Sequence, residues 1–162
     1  RANYLNSKYA EYIPSDEAIN ALIQSNIVEI GAGNGYWTYI INENDGDCIA
    51  TDIISPDIQT ENYPIDRGYD FIWTNIIESN HTIVEKYPER DILFVHPEGF
   101  PWTEEVLSLM NENQTLYLVA SWYPSPDATP LFFKKLIDNW NLEKQISIFN
   151  WDYGNAYLYV FN

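Results

Sequence analysis

The sequence predicts an α/β fold, a three-layer α/β/α sandwich on a sheet of about seven strands, mostly parallel and ending in an antiparallel hairpin. Three observations carry this reading. Short apolar runs suited to strands alternate with stretches of helical periodicity along the chain. The first strong strand runs straight into a turn with three glycines in five residues, Gly31-Ala32-Gly33-Asn34-Gly35. The chain closes with two alternating runs, Lys144 to Trp151 and Ala156 to Phe161, separated by Asp152-Tyr153-Gly154-Asn155, which is a hairpin signal. A length of 162 residues suits one domain, 1–162, with 1–25 as a helical lead-in and 26–162 as the core.

The elements follow in order. Residues 4–12 read as a helix, stopped before Ile13-Pro14. Ser15 suits an N-cap, with Asp16 and Glu17 in the first turn and Ala18, Ile19, Leu22 and Ile23 as the apolar stripe. Asn26 to Ile30 is a strand, Tyr36 to Asn42 a helix, and Asp47 to Thr51 a strand closed by Asp52. Residues 53–67, with Pro56 and Pro64, read as a long loop. Asp70 to Ile76 is expected as a strand, Ser79 to Tyr87 as a helix and Asp91 to Val95 as a strand. Thr103 is expected to cap a helix carrying Glu104, Glu105, Val106 and Leu107. Thr115 to Ser121 is a continuous apolar run, as a central strand requires. Thr129-Pro130 opens a helix over Leu131 to Trp140, with proline at its tolerated first position.

Charge limits the partners. The net charge is −16, from 24 acidic and 8 scattered basic residues. Phosphate recognition needs clustered Lys and Arg, so nucleic acid and anionic membrane surfaces are not expected partners. A basic protein partner or a homo-oligomer stays open, and an acidic surface also serves solubility. The 13 Tyr, 7 Phe and 6 Trp suit a core, and equally a pocket for a flat or cationic ligand. Cys48 is the only cysteine, which excludes an internal disulfide and a thiolate metal cage, and no metal site is expected. It sits in an apolar segment and reads as a buried thiol. No signal peptide or long apolar span is visible, so a reducing, cytoplasmic setting is the expectation. The chain begins at Arg1 without Met, which leaves room for a processed or trimmed N-terminus.

The glycine turn, VEIGAGNGYW over 28–37, points to a ligand at the carboxyl edge of the sheet. Glycine there permits positive φ and close approach of the backbone. The spacing is G-x-G-x-G. A dinucleotide fingerprint would need its third glycine at position 36, which is Tyr36, and a P-loop would need a Gly-Lys pair that is missing. Glu29, two residues before Gly31, suits an ammonium or sulfonium better than a phosphate. Asp52 lies 21 residues after Gly31, where a carboxylate can accept from ribose hydroxyls.

On these residues the chain resembles the class I, Rossmann-like S-adenosylmethionine-dependent methyltransferases. The stretch KYAEYIPSDEAINAL (8–22) followed by VEIGAGNGYW is similar to a group of small methyltransferase-like proteins. The resemblance implies S-adenosyl-L-methionine as cofactor. It implies Glu29 near the methionine amino group and Gly31, Ala32, Gly33, Asn34 and Gly35 as the loop passing the ligand. It further implies Asp52 on the ribose, Ile53 and Asn75 near the adenine, and Tyr9, Tyr12 and Pro14 closing over the methionine end.

The acceptor side is implied after the strand at 91–95, where the sequence reads His96-Pro97-Glu98-Gly99-Phe100-Pro101-Trp102. Amino-group methyltransferases of the resembled fold carry D/N-P-P-Y/F/W there, and this chain departs from it. His96 is the candidate base for a hydroxyl or acid substrate, and a structural histidine at a strand end is the competing reading. Pro97, Phe100, Trp102, Trp122 and Tyr123 are candidate pocket residues, whereas His81 is expected on the surface. The first reading is therefore a methyltransferase acting on a small molecule or a protein side chain. The second is a non-catalytic or partner-dependent cofactor-binding subunit. An NAD-dependent oxidoreductase is disfavoured by the glycine spacing and Glu29.

Overall fold

The structure is a computed structural model describing residues 2–53, 71–97, 101–122, 127–151 and 155–162. Its elements are α1 (Ala2–Lys8), β1 (Tyr12–Ile13), α2 (Asp16–Leu22), β2 (Asn26–Ile30), α3 (Tyr36–Glu43), β3 (Asp47–Asp52), β4 (Ile76–Glu78), α4 (Ile83–Lys86), β5 (Asp91–Val95), α5 (Trp102–Leu109), β6 (Leu116–Ser121), α6 (Pro130–Asn139), β7 (Leu142–Asn150) and β8 (Ala156–Phe161). They form one eight-stranded sheet in the order β1-β7-β8-β6-β5-β2-β3-β4. Strands β2 to β6 run parallel, while β8 inserts antiparallel between β6 and β7.

The period-two alternation of the strands divides the core into two layers. Val28, Ile30, Ile92, Phe94, Leu116 and Leu118 face α4, α5 and α6, meeting Val84, Val106, Phe132 and Leu136. The intervening Ile27, Leu93, Tyr117 and Val119 face α2 and α3, meeting Leu22, Trp37 and Ile41. Glu29 shares the second face with Ile27, so its side chain is directed into the α3 layer. Two caps follow the sequence directly. Ser15 Oγ accepts from Ala18 N at 3.3 Å, and Thr129 Oγ1 accepts from Phe132 N at 3.1 Å.

Four local expectations are corrected. The first helix stops at Lys8, and Tyr12–Ile13 instead pairs antiparallel with Asn150 and Phe149 of β7. Near that helix end, the carbonyls of Lys8 and Tyr9 accept from the Asn34 side chain at 3.3 and 2.6 Å, and Lys8 O also accepts from Trp73 Nε1 at 2.6 Å. The strand expected over 70–76 lies at Ile76–Glu78, with Asp70 outside the described residues. The apolar residues before it pack sideways: Trp73 stacks on Tyr9 and meets Tyr36, Tyr39 and Phe71, and its backbone N–H donates to Asn34 O at 2.9 Å. The helix expected over 79–87 shrinks to Ile83–Lys86, because Asn80 Oδ1 accepts from Thr82 N at 3.0 Å and Thr82 Oγ1 at 2.7 Å and holds a turn. The α5 N-cap is Pro101, with Thr103 fully buried inside the helix. The loop after Ile53 and the turn at Asp152-Tyr153-Gly154 lie outside the described residues. Among the described residues, no helix is long and apolar enough to cross a membrane.

Candidate functional site

The turn after β2 takes the left-handed conformation three times, with φ of +76° at Gly31, +57° at Gly33 and +75° at Gly35. Its amides are turned to the protein. Gly31 N and Ala32 N both donate to Thr51 O at 2.9 Å, Gly33 N to Asp52 Oδ2 at 2.9 Å, and Gly35 N to Ala32 O at 2.8 Å. The first turn of α3 is likewise occupied. Tyr36 N donates to Asn34 Oδ1 at 3.2 Å, and Thr38 N to Glu29 Oε2 at 3.1 Å. A phosphate-binding loop offers exactly these groups to an anion. Here protein oxygens, two of them carboxylate oxygens, already hold them.

Glu29 and Asp52 are each 2% exposed. Glu29 Oε2 takes both Thr38 donors, the hydroxyl at 2.6 Å, and that hydroxyl stands 3.1 Å from Cys48 Sγ. Burial pushes the Glu29 carboxyl up to about 7 against the pull of the Thr38 bonds, and the charge of Asp52 adds to the push. Burial also pushes the Cys48 thiol up, so it is an inert member of this chain rather than a nucleophile.

A cavity of about 470 Å³ opens over the carboxyl ends of β2, β3, β4 and β5. It brings together Glu29, Gly31, Ala32, Gly33, Asn34, Asp52, Ile53, His96, Pro97 and Trp102 of the residues singled out in the sequence. Ile53 presents an exposed side chain, at 61%, on its rim. Four others stand elsewhere. Gly35 is the α3 N-cap behind the wall, where an added Cβ would meet Thr74 Cγ2 at 2.7 Å. Tyr12 is buried with its hydroxyl donating to Asp127 Oδ2 at 2.5 Å. Asn75 is exposed and is not among the lining residues, and Trp122, half-buried, packs on Phe133 and Tyr159. Phe100, Glu98 and Tyr123 lie outside the described residues.

Several wall residues had no signal in the sequence. The lead-in contributes Asn6, Ser7, Ala10 and Glu11. His81, expected on the surface, lines the cavity and bonds Glu105 Oε2 at 2.8 Å. No Lys or Arg is among the cavity's described walls. His96 follows β5 with a φ of +50°, rare for a residue with a Cβ. Its Nδ1 stands 3.0 Å from Glu11 Oε2 and its Nε2 3.6 Å from Asp127 Oδ1, with the Tyr12 ring edge-on to the imidazole.

The acceptors fit a ligand with ammonium and hydroxyl groups. Buried carboxylates accept from both, while amides already held by protein oxygens and the absence of Lys and Arg among the described wall residues disfavour a pyrophosphate.

No protein-family model and no curated protein sequence matches the chain. Solved structures do match its fold. Magnesium protoporphyrin IX methyltransferase from Synechocystis PCC 6803 with bound SAM aligns at a TM-score of 0.57 and 13% identity, covering 91% of this chain and 77% of that one. The Burkholderia thailandensis 1,6-didemethyltoxoflavin-N1-methyltransferase, with bound 1,6-didemethyltoxoflavin and S-adenosylhomocysteine, gives 0.57 and 13% over 90% and 76%. TrmK of M. capricolum, in complex with S-adenosylhomocysteine, gives 0.50 and 15% over 92% and 68%. The fold of this chain is the class I, Rossmann-like methyltransferase fold.

Proposed function

We propose that the chain is an S-adenosyl-L-methionine-dependent methyltransferase acting on a small molecule or a protein side chain. One observation carries this reading. The glycine turn spends its amides on Thr51 and Asp52, and two buried carboxylic residues, Glu29 and Asp52, line the cavity beside it. Glu29 would hold the ammonium of the cofactor's methionine part, Asp52 its ribose hydroxyls, and Ile53 would cover the adenine. When bound, the cofactor supplies a methyl group activated by a sulfonium. Around it, the chain binds, orients and excludes water, and much of the rate comes from positioning. Trp102 and Pro97 would flank the acceptor, and His96 would take the proton of its hydroxyl or acid group. The net charge of −16 supports an acceptor that is not a polyanion.

The test is transfer of label from methyl-labelled cofactor into a cell extract. Wild-type protein should label a discrete acceptor, and His96→Gln should reduce the rate about 100-fold or more. Full transfer by His96→Gln removes His96 from the mechanism. No transfer to any fraction, with the cofactor bound, favours the interaction-subunit reading instead.

A further inference from the structure

We propose that Glu11 of the N-terminal lead-in and Asp127 ahead of α6 act as positioning residues, a carboxylate clamp that fixes the His96 imidazole and stabilises the proton it takes up. The inference deepens the methyltransferase reading and rests on it for the proton's source.

The clamp is assembled from three distant parts of the chain. Glu11 Oε2 meets Nδ1 at 3.0 Å, so Nδ1–H is donated to a carboxylate. Asp127 Oδ1 stands 3.6 Å from Nε2, beyond hydrogen-bond length yet close enough to act as a charge. Asp127 is itself fixed, because its Oδ2 accepts from Tyr12 O–H at 2.5 Å and Ser121 N at 2.6 Å. The Tyr12 ring covers the imidazole edge-on, and Tyr12 is anchored by its carbonyl accepting from Trp37 Nε1 at 2.8 Å. The imidazole therefore spans two carboxylates that approach opposite nitrogens. That geometry does not converge on a point where a metal ion could sit, and no group of three or more His, Cys, Asp and Glu among the described residues is arranged for one.

The electrostatics agree with the geometry. The bond to His96 holds the Glu11 carboxyl below its usual range, against the upward push of burial. Burial raises Asp127, while Tyr12, Ser121 and His96 pull it down. Burial and the bond to Asp127 keep the Tyr12 phenol protonated and therefore a donor. Among the described residues, Glu11, Tyr12 and Asp127 are titratable groups that face the ring from the lead-in and from the segment ahead of α6.

In the reaction, the acceptor's X–H proton moves to the nitrogen turned away from Glu11. The X–H electron pair stays on X as the attacking lone pair. The resulting imidazolium carries its charge between two carboxylates and later returns the proton to water. Both carboxylates favour the charged ring, so each makes His96 a stronger base and moves its titration to higher pH.

The chain has two histidines, His81 and His96, so imidazole NMR titration separates them. In the apo protein, Glu11→Gln should move the His96 midpoint down by about one pH unit, discounted for partial exposure, and Asp127→Asn should move it the same way. His81, bonded to Glu105, serves as the reference and should stay within a tenth or two of a unit of its wild-type midpoint. In His96→Gln, the Glu11 carboxyl should rise toward its ordinary 4.5. The acid limb of the labelled-transfer rate should follow the NMR midpoint in Glu11→Gln, with Glu11→Asp restoring part of the shift. A His96 midpoint unchanged in Glu11→Gln and Asp127→Asn overturns the clamp, as does a rate lowered equally at all pH. Equal movement of both histidines marks a disturbed fold, and Glu11→Asp then decides. If the midpoints shift as stated but no transfer is found, the clamp stands and the methyltransferase reading is what fails.

Discussion

Replacing Glu29 by Gln should change how stability depends on pH. Glu29 is buried against Thr38, and its carboxyl is raised from 4.5 to about 7, chiefly by burial. Below pH 4.5 the carboxyl is protonated in folded and unfolded chains alike, and no penalty arises. Between 4.5 and 7 the unfolded chain loses this proton while the folded one keeps it, so stability falls as pH rises. Above 7 the loss is complete, and two and a half units at about 1.4 kcal/mol each make it about 3 kcal/mol. A Gln side chain carries no such titration, yet its amide oxygen can still accept from Thr38. Urea unfolding followed by tryptophan fluorescence at pH 5, 6, 7 and 8 would give both curves, and titrating groups remote from Glu29 cancel in the difference. Between pH 5 and pH 8 the variant should gain about 2.5 kcal/mol on the wild type. Parallel curves would refute the reasoning. A cofactor ammonium beside Glu29 requires the ionised form, so binding near pH 6.5 should release about three-quarters of a proton, read from calorimetry in buffers of different ionisation enthalpy.

Four further outcomes follow from the same geometry. Gly35→Ala should cost about 3 kcal/mol in urea unfolding, from the positive φ and from a Cβ placed 2.7 Å from Thr74 Cγ2. Gly31→Ala should cost only the φ part, about 1–2 kcal/mol, because its Cβ would sit 3.7 Å from Trp102. Asp52→Asn should weaken cofactor binding about 10- to 100-fold, the worth of hydrogen bonds to a charged acceptor, as measured by calorimetry. Trp73→Ala removes the stack on Tyr9 and the bond to Lys8 O, so tryptic cleavage after Lys8 should accelerate at least severalfold.

What was legible in the sequence is what neighbouring residues decide. The caps at Ser15 and Thr129, the glycine turn, the alternating strands and the terminal hairpin each depend on contacts within a few positions or on simple periodicity. The β1–β7 pairing was hidden because Tyr12 meets Asn150 across most of the chain, and two residues carry no strand pattern. The 71–75 segment looked like a strand because it is apolar, but its aromatics serve the cluster around Trp73 rather than a ladder. His81 reads as a surface residue because the sequence suggests a longer helix there, whereas the turn at Asn80 places it on the cavity wall. The surroundings of His96 were unreadable for a stronger reason. Glu11 and Asp127 carry no motif, and only the closed sheet brings them to one ring.

The central claim is that the cavity is built for a sulfonium cofactor rather than a dinucleotide. Isothermal titration of the wild-type chain with S-adenosylmethionine, S-adenosylhomocysteine and NAD tests it most directly. One-to-one binding of both sulfur compounds, lost or weakened at least tenfold in Asp52→Ala, with no heat from NAD, is the predicted result. No binding of either sulfur compound, or preferential binding of NAD, would contradict it.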